Sequence, residues 1–231
     1  DLVEIDVQET ADGEVIVFHD RDFTRLADTD LETKDTHSSQ LATIDIGSWF
    51  SSKFSDQTPP TLKQALELCK GKSGVLIELK YYGHDVDLEQ RVIRIVESLN
   101  MQDDIMIMSL SYPALQKVRK LRPNWKLGLL STLSLGDITD LDVDFVGVNS
   151  PAVTHSFVKH AHHNDVEVYA WTVNEPLDIS AMTSRGVDGI ITDSPSSVHE
   201  VLQQRSELSS NNRLLLELAH IFGRNIDTLK Q

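Results

Sequence analysis

Seven runs of apolar residues recur along the chain, and most are separated by a segment with the periodicity of an amphipathic helix. The runs are residues 2–7, 74–80, 105–110, 126–131, 144–150, 167–173 and 188–193. Strand and helix alternate with a repeat of roughly 20 to 30 residues, which is typical of βα units. Because most runs are continuously apolar, they predict parallel strands that are covered by helices.

A TIM (β/α)8 barrel explains this alternation best, and an open doubly wound sheet is the alternative. No glycine-rich phosphate fingerprint follows any of the strands, which weighs against a nucleotide-binding open sheet. A barrel needs eight strands, whereas the pattern supplies seven and starts in a strand at once. We therefore expect a barrel that lacks its first βα unit in this chain.

Two segments depart from the repeat. Residues 14–20 follow the turn signal ADG and are predicted to pair with the first strand as a hairpin. Residues 21–60 are polar and end on two prolines, which predicts a small insertion after the second strand of the barrel. With this insertion the barrel is predicted to span residues 1–205. Residues 206–231 are predicted to form a helical tail whose apolar stripe docks on the barrel or contacts a partner.

The chain has 36 acidic and 21 basic residues among its 231, which gives a net charge of −15. Such a field repels phosphate backbones, so nucleic acid is not expected as a partner, and an anionic substrate needs a local cation. The single cysteine, Cys69, rules out an internal disulfide and leaves the compartment unknown. No run of about 18 apolar residues occurs, so the sequence predicts a soluble domain.

Acidic residues interrupt two of the apolar strands. Side chains two apart on a strand share a face, so Glu4 and Asp6 point the same way, as do Glu78 and Lys80. Both pairs lie toward the carboxyl ends of their strands, where barrel enzymes place catalytic groups. Three carboxylates together repel one another, and a hard cation such as Mg²⁺ or Ca²⁺ removes that repulsion. The alternative is that each pair is the solvated face of a half-buried strand.

Histidines occur in two contexts. His19 follows the apolar run VIVF just beyond the carboxylate strand, and an imidazole suits proton transfer near neutral pH. His160, His162 and His163 have a spacing that resembles a metal site. They lie in a polar helical stretch, however, and we interpret them as a solvated helix face.

Two residues near the ends of later strands are further candidates. Trp171 is predicted to wall the substrate site or to pack in the core. Asp193 ends the last strand before a turn, and its simplest role is to cap the helix that follows.

The ordered motifs VEIDVQETADGEVIVFHD, PTLKQALE, LIELK, AWTVN and GVDGIITDSP resemble those of the glycerophosphodiester phosphodiesterases over roughly residues 1–203. The resemblance implies a (β/α)8 barrel with a small insertion, and it implies that Glu4, Asp6 and Glu78 are the ligands of a divalent metal. It further implies that His19 is one of two catalytic histidines and that Lys80 meets the phosphate.

The family's His-Arg-Gly motif on the first strand, which carries the other catalytic histidine, is absent from this chain. His84 is the alternative for the second proton transfer if the chain alone is active. The segment LIELKYYGHD is similar to members in which the domain follows a membrane-spanning region, which implies membrane attachment through an upstream segment. The oligomeric state is left open.

The predicted reaction is metal-dependent hydrolysis of a small glycerophosphodiester to glycerol 3-phosphate and an alcohol. Here Lys80 and one Mg²⁺ or Ca²⁺ bind the phosphodiester oxygens, and His19 protonates the leaving alkoxide. Lys80 and Trp171 are the predicted substrate-binding residues. One alternative is a non-catalytic relative that binds a phosphate or a headgroup. Another is a barrel lyase with a Schiff base on Lys80, which the nearby carboxylates disfavour because they stabilise the charged amine.

Overall fold

The structure is a computed structural model that describes residues 1–83, 86–131 and 141–208. It divides into two compact units, Asp1–Leu129 and Leu130–Gln231. His84 and residues 209–231, which include most of the predicted tail, lie outside the described residues, so both remain predictions. No helix among the described residues is long and apolar enough to cross a membrane.

The first unit is built on a sheet of four parallel strands with one antiparallel strand at its side. The strands are β1 (Leu2–Glu9), β2 (Val15–Val17), β3 (Gly74–Leu79), β4 (Ile105–Ser109) and β5 (Leu127–Ser131). Strand β2 pairs antiparallel with β1 as the predicted hairpin, and β1, β3, β4 and β5 follow one another in parallel. Val75 to Leu79 of β3 are all buried, as expected for a strand covered on both faces.

Three helices connect the parallel strands of this unit, namely α3 (Leu62–Cys69), α4 (Leu88–Ser98) and α5 (Tyr112–Leu121). Helix α3 begins after Thr61, whose hydroxyl accepts a hydrogen bond from the Gln64 amide while the Gln64 side chain bonds back to Thr61. Gly71 follows the helix with a φ of +71°, a conformation that favours glycine. The local sequence thus sets both ends of α3.

The insertion, residues 21–60, contains only short elements. These are the single-turn helices α1 (Thr24–Ala27) and α2 (Ser38–Leu41) and the 3₁₀ turns Thr33–Asp35 and Ser52–Phe54. A small core of its own holds it to the hairpin and consists of Ile16, Phe18, Phe23, Leu41 and Ile44. Because it adds no strand to the parallel sheet, the insertion is not a barrel unit, as predicted.

Among its described residues, the second unit contains three parallel strands, β6 (Phe145–Asn149), β7 (Glu167–Trp171) and β8 (Gly189–Ile190). Its helices are α6 (His155–His163), α7 (Pro176–Arg185) and α8 (Pro195–Glu207). Four parallel strands in the first unit and three in the second make the seven that the sequence predicts. Strand β8 is shorter than predicted, because Thr192 and Asp193 bond to the side chain of Asn174 instead of extending the ladder.

Candidate active site

Three carboxylates converge at one place in the first unit. Glu4 and Asp6 lie on one face of β1, and Glu78 lies on the neighbouring strand β3, directly opposite Asp6 in the ladder. Neighbouring strands are about 4.8 Å apart, so this register brings the two side chains together. One oxygen from each of Glu4, Asp6 and Glu78 lies within 4.8 Å of the others. Within the described ranges, these three residues are the group whose geometry could hold a metal ion.

Lys80 contacts this carboxylate cluster. Its Nζ lies 2.8 Å from Glu78 Oε1 and 3.2 Å from Asp6 Oδ1. The side chains of Lys80, Asp6 and Glu78 are all at least 85% shielded from solvent. When every group is ionised, one ammonium faces three carboxylates, so the cluster retains an excess of negative charge. That excess is what a bound cation could neutralise.

The pKa values of the cluster reflect burial first and the neighbouring charges second. Burial, followed by the charges of Asp6 and Glu78, raises the pKa of Glu4 from 4.5 to about 8. Burial also raises the pKa of Glu78, against the opposing effect of Lys80. Burial works against the charge of Lys80, but hydrogen bonds and charges from Glu78 and Asp6 prevail and raise its pKa. A Schiff-base lysine needs a depressed pKa, so this geometry opposes the lyase alternative.

His19 lies just after β2 and is paired with Asp20. Its Nδ1 is 2.7 Å from Asp20 Oδ1, and the other carboxylate oxygen of Asp20 accepts from Arg25 Nε at 2.6 Å. The hydrogen bond from Arg25 is the largest effect that lowers the pKa of Asp20 and keeps it ionised. With Nδ1–H donated to Asp20, the other ring nitrogen, Nε2, is the one available for proton transfer. The imidazole is 59% exposed, so a substrate can reach it.

The histidine and the carboxylate cluster lie at the same end of the sheet. The amide of Phe18, which precedes His19, donates to the carbonyl of Asp6 at 2.9 Å. Tyr82 adjoins both groups, because its hydroxyl donates to the His19 carbonyl at 2.8 Å and it lines one cavity together with Glu78 and Lys80. Burial is the largest cause of the raised Tyr82 pKa.

A cavity of about 220 Å³ opens beside this cluster at the carboxyl ends of β3 and β4. Its lining combines charged, aromatic, hydroxyl and aliphatic residues, namely Glu78, Leu79, Lys80, Tyr81, Tyr82, Ser109, Leu110 and Ser111. Pockets for drug-sized ligands have volumes of about 300–1,000 Å³, so this cavity suits a smaller molecule. It places such a molecule against Glu78 and Lys80.

Trp171, the other predicted substrate-binding residue, lies in the second unit at the end of β7. It is half-buried and packs beside Gly147, where an added Cβ would lie 3.5 Å from the indole ring. Its Nε1 is buried and makes no hydrogen bond to any described residue. Its role in substrate binding stays a prediction.

Two of the remaining candidates, His162 and Asp193, have structural contacts. His162 lies on α6 and bonds to Asp188 at 2.8 Å, and Asp188 also accepts from the Val168 amide. The expectation that Asp193 caps the last helix is wrong. Its carboxylate accepts from the Asn174 side chain at 2.7 Å, and α8 has no side-chain cap. This bond ties the turn after β8 to Asn174.

Sequence reasoning missed Asp20 and Tyr82. Asp20 adjoins His19 in the quoted motif, and a His-Asp neighbour pair was a usable signal for an oriented imidazole. Tyr82 follows Lys80 by two residues, beyond the end of β3, where strand periodicity no longer tells which way a side chain points. Its contact with His19 could be read only from the structure.

Parallel βα units with carboxylates, a lysine and a histidine–aspartate pair at the strand ends define a barrel-type enzyme domain. The family model described as "Glycerophosphoryl diester phosphodiesterase family" matches residues 1–197. The chain therefore belongs to the glycerophosphoryl diester phosphodiesterase family.

Individual relatives agree with this assignment. A glycerophosphodiester phosphodiesterase of Caldanaerobacter subterraneus is 28% identical, and the match covers 88% of this chain and 86% of that protein. Among solved structures, an Oleispira antarctica phosphodiesterase in complex with the product sn-glycerol-3-phosphate has a TM-score of 0.78. It is 26% identical, and the match covers 87% of this chain and 85% of that one. A glycerophosphodiester phosphodiesterase from Parabacteroides distasonis has a TM-score of 0.76 at 23% identity, covering 88% of this chain and 84% of that one.

Three predictions are confirmed by these comparisons. The family is the one that the sequence motifs resemble. The fold class is the (β/α)8 barrel, shared with solved structures of this family. The enzyme class is that of the phosphoric diester hydrolases.

Proposed function

We propose that this protein hydrolyses small glycerophosphodiesters, such as glycerophosphocholine or glycerophosphoethanolamine, to glycerol 3-phosphate and an alcohol. The observation that carries the proposal is the cluster of Glu4, Asp6 and Glu78 beside Lys80. The product in the Oleispira antarctica relative supports the glycerol 3-phosphate part. The cavity beside Glu78 and Lys80 is of a size that suits a small substrate.

The cluster residues fit a hard divalent cation. All three donors are carboxylate oxygens, which Mg²⁺ and Ca²⁺ prefer. Burial and then the charges of Asp6 and Glu78 raise the pKa of Glu4, and a bound cation relieves both the burial of charge and the mutual repulsion. Glu4, Asp6 and Glu78 would hold the ion, which when bound supplies positive charge to the phosphodiester oxygens.

Lys80 has the charge and the position to bind a non-bridging phosphate oxygen. Its raised pKa keeps the ammonium protonated at neutral pH. Because its three N–H donors can serve both the neighbouring carboxylates and a phosphate oxygen, the lysine can orient the phosphorus relative to the cluster. The charge that develops on the phosphoryl oxygens in the transition state is then stabilised by a fixed, largely buried ammonium.

His19 acts as the general acid in this proposal. An oxygen of water or of the glycerol hydroxyl forms a new bond to phosphorus and passes its proton to a second base. The bond between phosphorus and the leaving alcohol oxygen breaks, and that oxygen takes the proton from Nε2 of His19. Asp20 accepts the hydrogen bond from Nδ1 and so fixes the orientation of the ring. Arg25 in turn holds the carboxylate of Asp20 in place.

The test is release of glycerol 3-phosphate from glycerophosphocholine by the complete natural polypeptide with Mg²⁺ or Ca²⁺. We expect Glu78→Gln to lose cation binding in calorimetry and to reduce turnover at least 100-fold, while Glu67→Gln changes neither. Glu67 is a matched control because it is an exposed glutamate on α3. Equal cation affinity of wild type and Glu78→Gln would refute the metal site. Activity restricted to cyclic nucleotides or phosphoinositides would refute the substrate class, and binding without turnover would favour the non-catalytic alternative.

A further inference from the structure

Three side-chain hydrogen bonds hold the backbone around His19. The side-chain nitrogen of Gln8, Nε2, donates to the carbonyl of Phe18 at 2.8 Å and to the carbonyl of Asp20 at 2.7 Å. The hydroxyl of Tyr82 donates to the carbonyl of His19 itself at 2.8 Å. Three consecutive carbonyls, one before, one at and one after the histidine, are thus each held by a side chain.

These bonds replace the strand ladder at the point where it stops. Strand β2 ends at Val17, and the last paired residues of the hairpin are Val7 and Val17. The carbonyls of the following residues therefore lack ladder partners of their own. Gln8 is only 6% exposed, and its terminal NH₂ uses both of its donors on this segment. A buried amide whose two donors are both engaged has a defined orientation, since losing the bonds leaves buried polar groups unpaired.

Gln8 and Tyr82 each lie two residues beyond a candidate site residue in the sequence. Gln8 follows Glu4 and Asp6 on the same face of β1, two residues beyond Asp6. Tyr82 follows Lys80 by two residues, just after β3. The rise of about 3.3 Å per residue puts Gln8 roughly 7 Å along the strand from Asp6. A single strand therefore carries two candidate metal ligands and the side chain that holds the histidine segment.

We propose that Gln8 and Tyr82 are positioning residues that fix His19 at a set distance from the carboxylate cluster. The inference rests on the proposed function, in which His19 is the proton donor. The exposed imidazole has its one described contact at Asp20, so its position depends on the backbone of residues 18–20. A displacement of about 1 Å in a catalytic group can cost about 100-fold in rate.

The main test is Gln8→Met in the complete natural polypeptide, because methionine keeps the length of the side chain and removes both donors. We expect kcat on glycerophosphocholine to fall about 10- to 100-fold, with KM within about threefold of wild type. Cation binding by calorimetry should not change, because the carboxylates stay in place. Tyr82→Phe removes one of the three bonds and should show a smaller fall in kcat.

A double-mutant cycle with His19→Ala separates positioning from general destabilisation. If Gln8 acts through His19, Gln8→Met has no further effect on kcat once the imidazole is gone. The same fold-loss in both backgrounds would overturn the proposal, as would wild-type kcat in folded Gln8→Met. Arg205→Met is the control for lost buried donors, because Arg205 on α8 bonds to the hydroxyls of Ser180 and Ser184. It should lower thermal stability and leave kcat unchanged.

A readout without turnover distinguishes failure of this inference from failure of the proposed function. In proton–carbon NMR spectra, assigned by His19→Ala, the His19 ring signal should shift or broaden in Gln8→Met and in Tyr82→Phe, but not in Arg205→Met. If the wild-type enzyme releases no glycerol 3-phosphate, the proposed function fails. An unchanged His19 signal in the two variants would overturn the positioning role in either case.

Discussion

Glu4→Gln should make the metal-free protein more stable at alkaline pH, although it removes a candidate ligand. Burial, with the charges of Asp6 and Glu78, raises the pKa of Glu4 from 4.5 to about 8 in the folded protein. The folded state therefore holds a proton that the unfolded state releases. Ionising Glu4 in place costs stability, and glutamine, which never ionises, avoids that cost.

The sign and size follow from proton linkage. A carboxyl whose pKa is higher in the folded state adds no penalty below pH 4.5, and its penalty grows as the pH rises toward 8. Each pKa unit corresponds to about 1.4 kcal/mol, so the upper bound on the gain is about 2 kcal/mol at pH 6 and about 5 kcal/mol at pH 8.5. Packing of the buried amide offsets part of this gain by about 1–3 kcal/mol, equally at both pH values. The increase between the two pH values is therefore the quantity to test.

The assay is urea unfolding with a chelator present, at pH 6 and at pH 8.5. We expect the difference in unfolding free energy, Glu4→Gln minus wild type, to be larger at pH 8.5 by roughly 2–3 kcal/mol. Adding Mg²⁺ or Ca²⁺ should stabilise the wild type and not the variant. Glu67→Gln, on the exposed face of α3, should show no such dependence. A difference that is flat or falls with pH would refute the assignment of Glu4 to a buried, repulsive cluster.

Three further outcomes test other parts of the structure. Lys80→Met leaves Asp6 and Glu78 without their shared ammonium. Thermal denaturation of the metal-free protein at pH 8 should show that the free energy of unfolding falls by about 3–5 kcal/mol, and unchanged stability would contradict the ion pairs. His19→Asn should reduce kcat on glycerophosphocholine about 10²- to 10⁴-fold. The loss should be much smaller on an analogue with a nitrophenol leaving group, because that group leaves without a proton. Equal losses on the two substrates would exclude the general-acid role. Thr61→Ala removes the cap of α3 and should lower the free energy of unfolding by about 1 kcal/mol without changing turnover. An unchanged free energy of unfolding would show that the capping box does not stabilise the protein.

Much of the fold was accessible to sequence reasoning because parallel strands are marked by continuous apolar runs. All seven predicted strands are present among the described residues, and β3 matches its prediction to within one residue. The end of the last strand was not predictable in the same way. The side-chain oxygen of Asn174 accepts hydrogen bonds from the hydroxyl of Thr192 and the amide of Asp193. A contact of this kind between a side chain and a turn leaves no periodic pattern in the sequence.

The parts of the candidate site that lie on strands were predictable, because side chains alternate between the two faces of a strand. The parts that lie in loops were not. Glu4, Asp6 and Glu78 could be grouped because strand faces and strand ends follow from the pattern. Their close approach also requires the register that places Asp6 opposite Glu78, which the sequence does not encode in any local motif. The bonds around His19 are still less accessible, because they form where the chain has left the ladder.

Strand β1 links the stability of the protein to its chemistry. Its face carries Glu4 and Asp6, which repel each other and Glu78, and then Gln8, whose hydrogen bonds hold the segment around His19. The strand can carry this repulsion because Val7 is fully buried and because β3 pairs with β1 from Leu2 to Val7, while β2 pairs with its end from Val7 to Glu9. The pairing keeps the carboxylates in place when their charges would drive them apart. The same rigidity that makes the carboxylate cluster costly therefore preserves the distance between the carboxylates and His19, the proposed proton donor.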